Sequence, residues 1–238
     1  MIYTRFDYLL KSYLRHTLFS PTQVARELGI TPREFKLLIG YPLRLPELST
    51  VENAIKKLKL PPQMVWESYF NSVFEVNHQD VQVCLVNYQE YEDLIRHNKQ
   101  KRKTGNIPSE EVFLELLPKD KTLNGVSLKD SFKVRAWQGG IYKNQAQYLS
   151  KELKLKTELV SKVLKNKLPT VSELNSLLKV GNWAEKKMIL HSFIASVVEI
   201  KKLNYKVVAK NLSEEERLLD RIYVPQKKGK KNGNKTKV

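Results

Sequence analysis

Cysteine is almost absent from these 238 residues: Cys84 stands alone, which excludes an internal disulfide and a multi-cysteine zinc site. Glycine and proline are sparse, at 9 and 10 residues, too few for a collagenous or low-complexity chain. Acid is short relative to base. Against 42 Lys and Arg stand 25 Asp and Glu, leaving a formal charge of +17 and an isoelectric point near 9.7. That imbalance favours a polyanionic partner, nucleic acid or an acidic surface, without choosing between them. Long apolar runs are missing too. Nothing uncharged is long enough to cross a bilayer, and the opening "MIYTRFDYLLKSYLR" has no signal-peptide core, so a soluble, cytoplasmic protein with no membrane partner is expected.

The patterns of an enzyme are equally lacking. There is no carboxylate cluster suited to magnesium, no nucleophile with a base and no glycine-rich phosphate loop. Glu90, Glu92 and Asp93 fit a solvated acidic helix face, and His16, His78, His97 and His191 are scattered. The expectation is a non-enzyme with no cofactor and no metal. Trp66, Trp137 and Trp183 suit core or interface positions better than base-stacking platforms, and Cys84 suits a half-buried strand.

What the chain does contain is a repeat. "VARELGITPREFKLLI" (24–39) lies over "LSKELKLKTELVSKVL" (149–164) without a gap, pairing Val24 with Leu149, Leu28 with Leu153, Phe35 with Val160 and Leu38 with Val163. Two residues later dropped, "LPELSTVENAIKK" falls on "LPTVSELNSLLKV". "MVWESYFNSVFEV" (64–76) then falls on "MILHSFIASVVEI" (188–200), pairing Ser68 with Ser192 and Ser72 with Ser196, and the same offset sets Cys84 against Val208. Register kept over so long a stretch implies two tandem copies. The expected organisation is a first module over 1–105, a linker over 106–123 whose "PSEEVFLELL" suits a short helix between Pro108 and Pro118, a second module over 124–224, and a disordered lysine-rich tail over 225–238.

Within one copy, "FDYLLKSYLRHTL" sets Phe6, Leu9, Leu10, Tyr13 and Leu14 on one helical face. "TQVARELG" and "PREFKLLIG" are the second and third helices. Thr31, Pro32 and Glu34 form a capping-box signature for the third. "STVENAIKKL", led by Ser49, is the fourth helix and "PPQMVWESYF" the fifth. "NSVFEVNHQDVQVCLVN" has the alternation of a hairpin turning at "NHQD", and "ASVVEIKKLNYKVVAKN" matches it, turning at "LN".

Two short helices fixed at a steep angle need a small residue at their contact, glycine in the turn, and apolar residues pinning the pair to its domain. Val24, Ala25, Leu28, Gly29, Ile30, Phe35 and Leu38 supply these in order. The segment resembles the lambda-repressor/Cro-like (Xre-type) helix-turn-helix family. "IGYPLRLP" is similar to that family's loop after the third helix, and "STVENAIKKLKLPPQMV" to its fourth and the start of its fifth. The resemblance covers about residues 5–70 and, more weakly, 130–194, where Ser150 stands for the alanine and Lys154 for the turn glycine.

The fold class implied is mainly α: two tandem helix-turn-helix modules, each followed by a short β-hairpin and a helix. The function implied is sequence-specific binding of double-stranded DNA, as a transcriptional regulator or an accessory factor of a mobile element. Groove-facing positions would be Thr31, Arg33, Lys36 and Leu37, with Gln23 nearby, in the first copy. In the second they would be Thr157, Glu158, Ser161, Lys162 and Lys165. The hairpins would be wings, with Lys201 and Lys202 at the better-placed tip. Lys227, Lys228, Lys230 and Lys231 of the tail would make salt-sensitive phosphate contacts. Since the two third helices differ in nearly every exposed residue, unlike half-sites are expected. Two alternatives stay open: a nucleoprotein assembly factor, with one module on DNA and the other on a protein, and a basic RNA-binding protein.

Overall fold

The computed structural model describes residues 5–40, 44–79, 81–87, 89–90, 92–93, 96, 114–115, 127–180 and 183–211, and they are mainly helical. Helices α1 (Phe6–His16), α2 (Pro21–Leu28), α3 (Pro32–Leu38), α4 (Leu48–Lys56) and α5 (Pro62–Val76) lead into strand β1 (Val81–Val86). After the two-residue strand β2 (Leu114–Glu115), the succession recurs as α6 (Leu128–Gln138), α7 (Gln145–Glu152), α8 (Thr157–Leu164), α9 (Val171–Leu178), α10 (Trp183–Ile200) and β3 (Lys206–Asn211).

The repeat extends to individual hydrogen bonds. The first helix of each half is tied to the fifth by a buried serine: Phe6 N–H donates to Ser72 Oγ at 3.0 Å, and Leu128 N–H to Ser196 Oγ at 2.8 Å. Each hydroxyl donates in turn to the carbonyl four residues back, of Ser68 and Ser192. Both fifth helices end on a left-handed residue, His78 at φ 56° and Lys202 at φ 51°, and the next amide closes the turn onto Phe74 and Val198. Most buried apolar residues of both halves, from Phe6 to Val207, form one contiguous core, and Cys84, Val86 and Val208 form a small second cluster on the strands.

The expected hairpins are corrected. Their first arms are helical, because "NSVFEV" carries a second period besides alternation. Tyr69, Phe70, Val73 and Phe74, at spacings of three and four, all turn into the core, and α5 runs on to Val76. Among the described residues each copy has one strand, and the two strands pair with each other, antiparallel, from Val81↔Asn211 to Val86↔Lys206. The expected linker helix is also corrected: of "PSEEVFLELL" the described residues are Leu114 and Glu115, which pair with Ala209 and Val208 and give the sheet order β1-β3-β2. Helix α4 starts at Leu48 with Glu47 as its N-cap residue, and Ser49 lies inside the first turn. Beyond β1, Asn87 and Glu90 exchange capping hydrogen bonds of 2.9 Å each ahead of helical residues at 89–90.

The third strand has a physical cause. The outer edge of β1 is satisfied by side chains from successive turns of α5: Asn71 Oδ1 accepts from Val83 N–H at 2.6 Å, Glu67 accepts from Leu85 N–H at 3.2 Å, and Gln63 Nε2 donates to the Leu85 carbonyl at 2.6 Å. Burial raises the Glu67 carboxyl above the usual range, against the pull of the Leu85 amide. The repeat puts Lys187, His191 and Ala195 at the matching positions of α10, a set without that ladder. The outer edge of β3 takes β2 instead, as a buried edge must find donors and acceptors somewhere.

Candidate nucleic-acid interface

Helices α2 and α3 are short, and their ends are chemically specified. Ser20 Oγ accepts from Gln23 N–H while the Gln23 side chain accepts from Ser20 N–H at 2.7 Å, with Pro21 in the first turn. Thr31 and Glu34 repeat the arrangement at α3, behind Pro32. The bonds from the Thr31 amide and hydroxyl hold the Glu34 carboxyl below its ordinary range. Between the helices Gly29 takes φ 74°, its N–H reaching the Arg26 carbonyl and that of Ile30 the Ala25 carbonyl, each at 3.0 Å. Asn53 of α4 locks the corner by donating to the Leu28 carbonyl at 3.0 Å. Val24, Ala25, Leu28, Phe35 and Leu38 are buried beneath.

This architecture leaves one face of α3 in solvent. Thr31, Arg33, Lys36 and Leu37 are exposed together, with Gln23 exposed at the start of α2. Arg33 and Lys36 lie one turn apart, and neither has an ion-pair partner among the described residues. Arg44 was missed by sequence reasoning. It is exposed in the loop after α3 and borders, with Glu34, Leu37 and Glu47, a groove of about 160 Å³. The only signal for it was its place in "IGYPLRLP".

The second copy makes the same corner by other means. Lys154 occupies the glycine position at φ 52°, and the Leu155 N–H still reaches the Ser150 carbonyl at 3.0 Å. The turn therefore survives a side chain there, at the cost of a left-handed lysine. Helix α8 has no side-chain cap at Lys156, its N-cap residue. Of the expected positions, Thr157, Glu158 and Lys165 are exposed and Ser161 is half-buried. Thr157 Oγ1 lies 2.9 Å from Ser150 Oγ. Lys162 is already engaged by Glu173 of α9. Partial burial would raise the Glu173 carboxyl, but the Lys162 and Thr170 hydrogen bonds and the lysine charge outweigh it and hold it low.

Lys201 and Lys202 are not at a wing tip. They close the C-terminal end of α10, where Lys201 pairs with Glu52 of α4 in the other copy while Lys202 stays exposed. Lys227, Lys228, Lys230 and Lys231, together with "KQKRK", lie outside the described residues. Trp66 is buried as expected, whereas Trp137 is 48% exposed and Cys84 is fully buried rather than half-buried. A pocket of about 520 Å³ in the second copy is bordered by Phe132, Tyr148 and Leu177 and by Arg135, which pairs with Glu152 at 2.8 Å. Among the described residues no group of three or more His, Cys, Asp or Glu is placed to hold a metal, and no helix is long and apolar enough to cross a membrane.

No family model, no curated protein and no solved structure matches this chain.

Proposed function

We propose that this is a non-enzymatic protein that reads double-stranded DNA by sequence, with α2–α3 and α7–α8 as two helix-turn-helix modules and α3 and α8 as their reading helices. One observation carries the proposal. A doubly capped, glycine-cornered pair of short helices presents Arg33, Lys36 and Leu37 together to solvent, on a chain of charge +17. Arg33 and Lys36 can donate to guanine O6 and N7, and Leu37 offers an apolar contact to a thymine methyl group. Thr31, Gln23 and Arg44 border the same face and suit the sugar-phosphate backbone, which positions the protein without reading sequence. In α8 the exposed Thr157, Glu158 and Lys165 present different chemistry, so the two half-sites are unlike. The biological setting that fits is a transcriptional regulator or an accessory factor of a mobile element in the cytoplasm.

The test is selection of bound sequences from a randomised duplex pool at about physiological salt, where nonspecific phosphate binding is suppressed. Enrichment of a bipartite motif is the expected result. Bulk duplex binding without enrichment would refute sequence-specific reading. A second reading has one observation in its favour: in the second copy Lys162 is neutralised by Glu173, and a pocket opens between Phe132, Tyr148, Leu153 and Leu177. An apolar-lined pocket beside a neutralised reading helix suits a module that docks a protein while α2–α3 holds DNA.

A further inference from the structure

We infer that the chain meets its duplex through an internal two-fold axis, so that its half-sites are inverted with respect to each other although the two modules are repeated head to tail in sequence. The inference rests on the DNA-binding reading above.

The register of β1 against β3 carries it. Cys84 pairs with Val208, and these are the same position of the two copies, separated by the repeat offset. On either side the pairs exchange roles: Val83↔Ala209 becomes Leu85↔Val207 when the copies are swapped, and Gln82↔Lys210 becomes Val86↔Lys206. The ladder thus maps onto itself by a half-turn about the Cys84–Val208 pair. Only an isologous contact does this, since a screw or translation between copies would join unlike surfaces.

A second contact of like with like lies far from the strands in sequence. The Glu47 carboxylate, at the N-terminus of α4, accepts from Val171 N–H at 3.2 Å, at the N-terminus of α9. Glu47 and Thr170 are equivalent in the repeat, as are Leu48 and Val171, so equivalent helix ends face each other across the same axis. Between these contacts α5 and α10 touch, with Phe74 edge-on to His191 at 5.7 Å.

The α4/α9 contact bears directly on DNA. Glu47 borders the groove that also holds Glu34, Leu37 and Arg44, so α3 flanks the axis at this end. The half-turn then places α8 at the same height on the other side, with its direction reversed. The two strands of a duplex are themselves related by two-fold axes, and a two-fold protein matches half-sites in inverted orientation, about one helical turn apart on one face. A direct repeat would require one module to turn by half a revolution, breaking the β1–β3 ladder. Because α3 and α8 differ, the site is an imperfect palindrome.

The experiment uses the full chain and its Val208→Cys variant, which adds a partner to the single natural cysteine. Antiparallel pairs of this kind have Cα separations within disulfide range. The probes are 40-base-pair duplexes carrying the two sequence words recovered from the randomised pool, arranged as inverted or direct repeats at stepped spacings. The expected result is at least tenfold tighter binding to one inverted spacing than to any direct repeat. Oxidised Val208→Cys, with Cys84 and the new cysteine joined, should keep that affinity within about twofold of its reduced form. Equal or tighter binding to a direct repeat would overturn the inference and leave DNA reading intact. So would loss of binding on oxidation that a reductant restores. Failure to bind any duplex above random sequence would remove the DNA reading itself, and the inference with it.

Discussion

Gly29→Ala tests whether the corner between α2 and α3 is held as described. Gly29 sits at φ 74°, where an L-residue pays about 1–2 kcal/mol. The reduced freedom of the unfolded chain returns up to ~1 kcal/mol of this. A Cβ at this position would stand 2.9 Å from Asn53 Nδ2, the atom that donates to the Leu28 carbonyl. Displacing that amide loses a partly buried hydrogen bond, worth about 1 kcal/mol. The net expectation is a destabilisation of roughly 1–2 kcal/mol, read by urea unfolding followed by far-ultraviolet circular dichroism. Asn53→Ala alone should cost about 1 kcal/mol, and the double variant should fall short of the sum of the two by about the same amount, because the bond is lost only once. Strict additivity would show that the side chain and the corner do not meet, and an unchanged midpoint for Gly29→Ala would refute the strain argument. The second copy supplies the converse: Lys154→Gly removes a left-handed lysine and should stabilise the chain by up to about 1 kcal/mol.

Arg33→Ala and Lys36→Ala should each weaken binding to the selected duplex by about 1–3 kcal/mol if the lost contact is bidentate to a base. An equal loss on random duplex, measured by fluorescence anisotropy, would reassign both residues to phosphate. Asn71→Leu leaves the buried Val83 N–H without the 2.6 Å acceptor and should destabilise the fold by about 1–3 kcal/mol. Amide exchange should then quicken first along β1, and exchange that rises only in α1–α4 would contradict the edge ladder. His191 is neutral in the fold, its pKa pushed down to about 4 by burial and by the nearby Lys187 charge. Below its ordinary value near 6.5 the unfolded chain takes up a proton that the folded chain refuses, so stability falls between about pH 6.5 and 4. At pH 4.5 this amounts to roughly 2–3 kcal/mol, and it should be missing from the pH dependence of His191→Gln. Parallel pH profiles for variant and wild type would show that His191 titrates normally.

Much of the local structure could be read in advance because its causes are local. Ser20 with Gln23, Thr31 with Glu34 and Pro32 at the first helical position are contacts within one turn, so their spelling suffices to place helix starts. The buried faces of α2 and α3 followed from spacing alone. The helix continuing from Pro62 to Val76 was not recoverable from pattern, because "NSVFEV" satisfies both the strand and the helix period. Burial of Phe70, Asn71 and Phe74 against partners distant in sequence decided between them. For the same reason the ion pairs that engage Lys162 and Lys201 are not legible in the sequence. Glu173 and Glu52 lie elsewhere in the chain, and nothing local announces the pairing.

The amino-acid sequence by itself determined the repeat, the short capped helices, the Gly29 corner, the exposed Arg33, Lys36 and Leu37 face and the excess of positive charge, since each depends on residues within a turn or on composition. Tertiary structure alone decided how the copies meet. Whether β1 folds back on its own copy or crosses to β3 depends on edge donors and acceptors that become available only after α5 and α10 have packed. Asn71, Glu67 and Gln63 sealed one edge, and the matching residues of α10 left the other open. A head-to-tail repeat in the chain thereby became a half-turn in space.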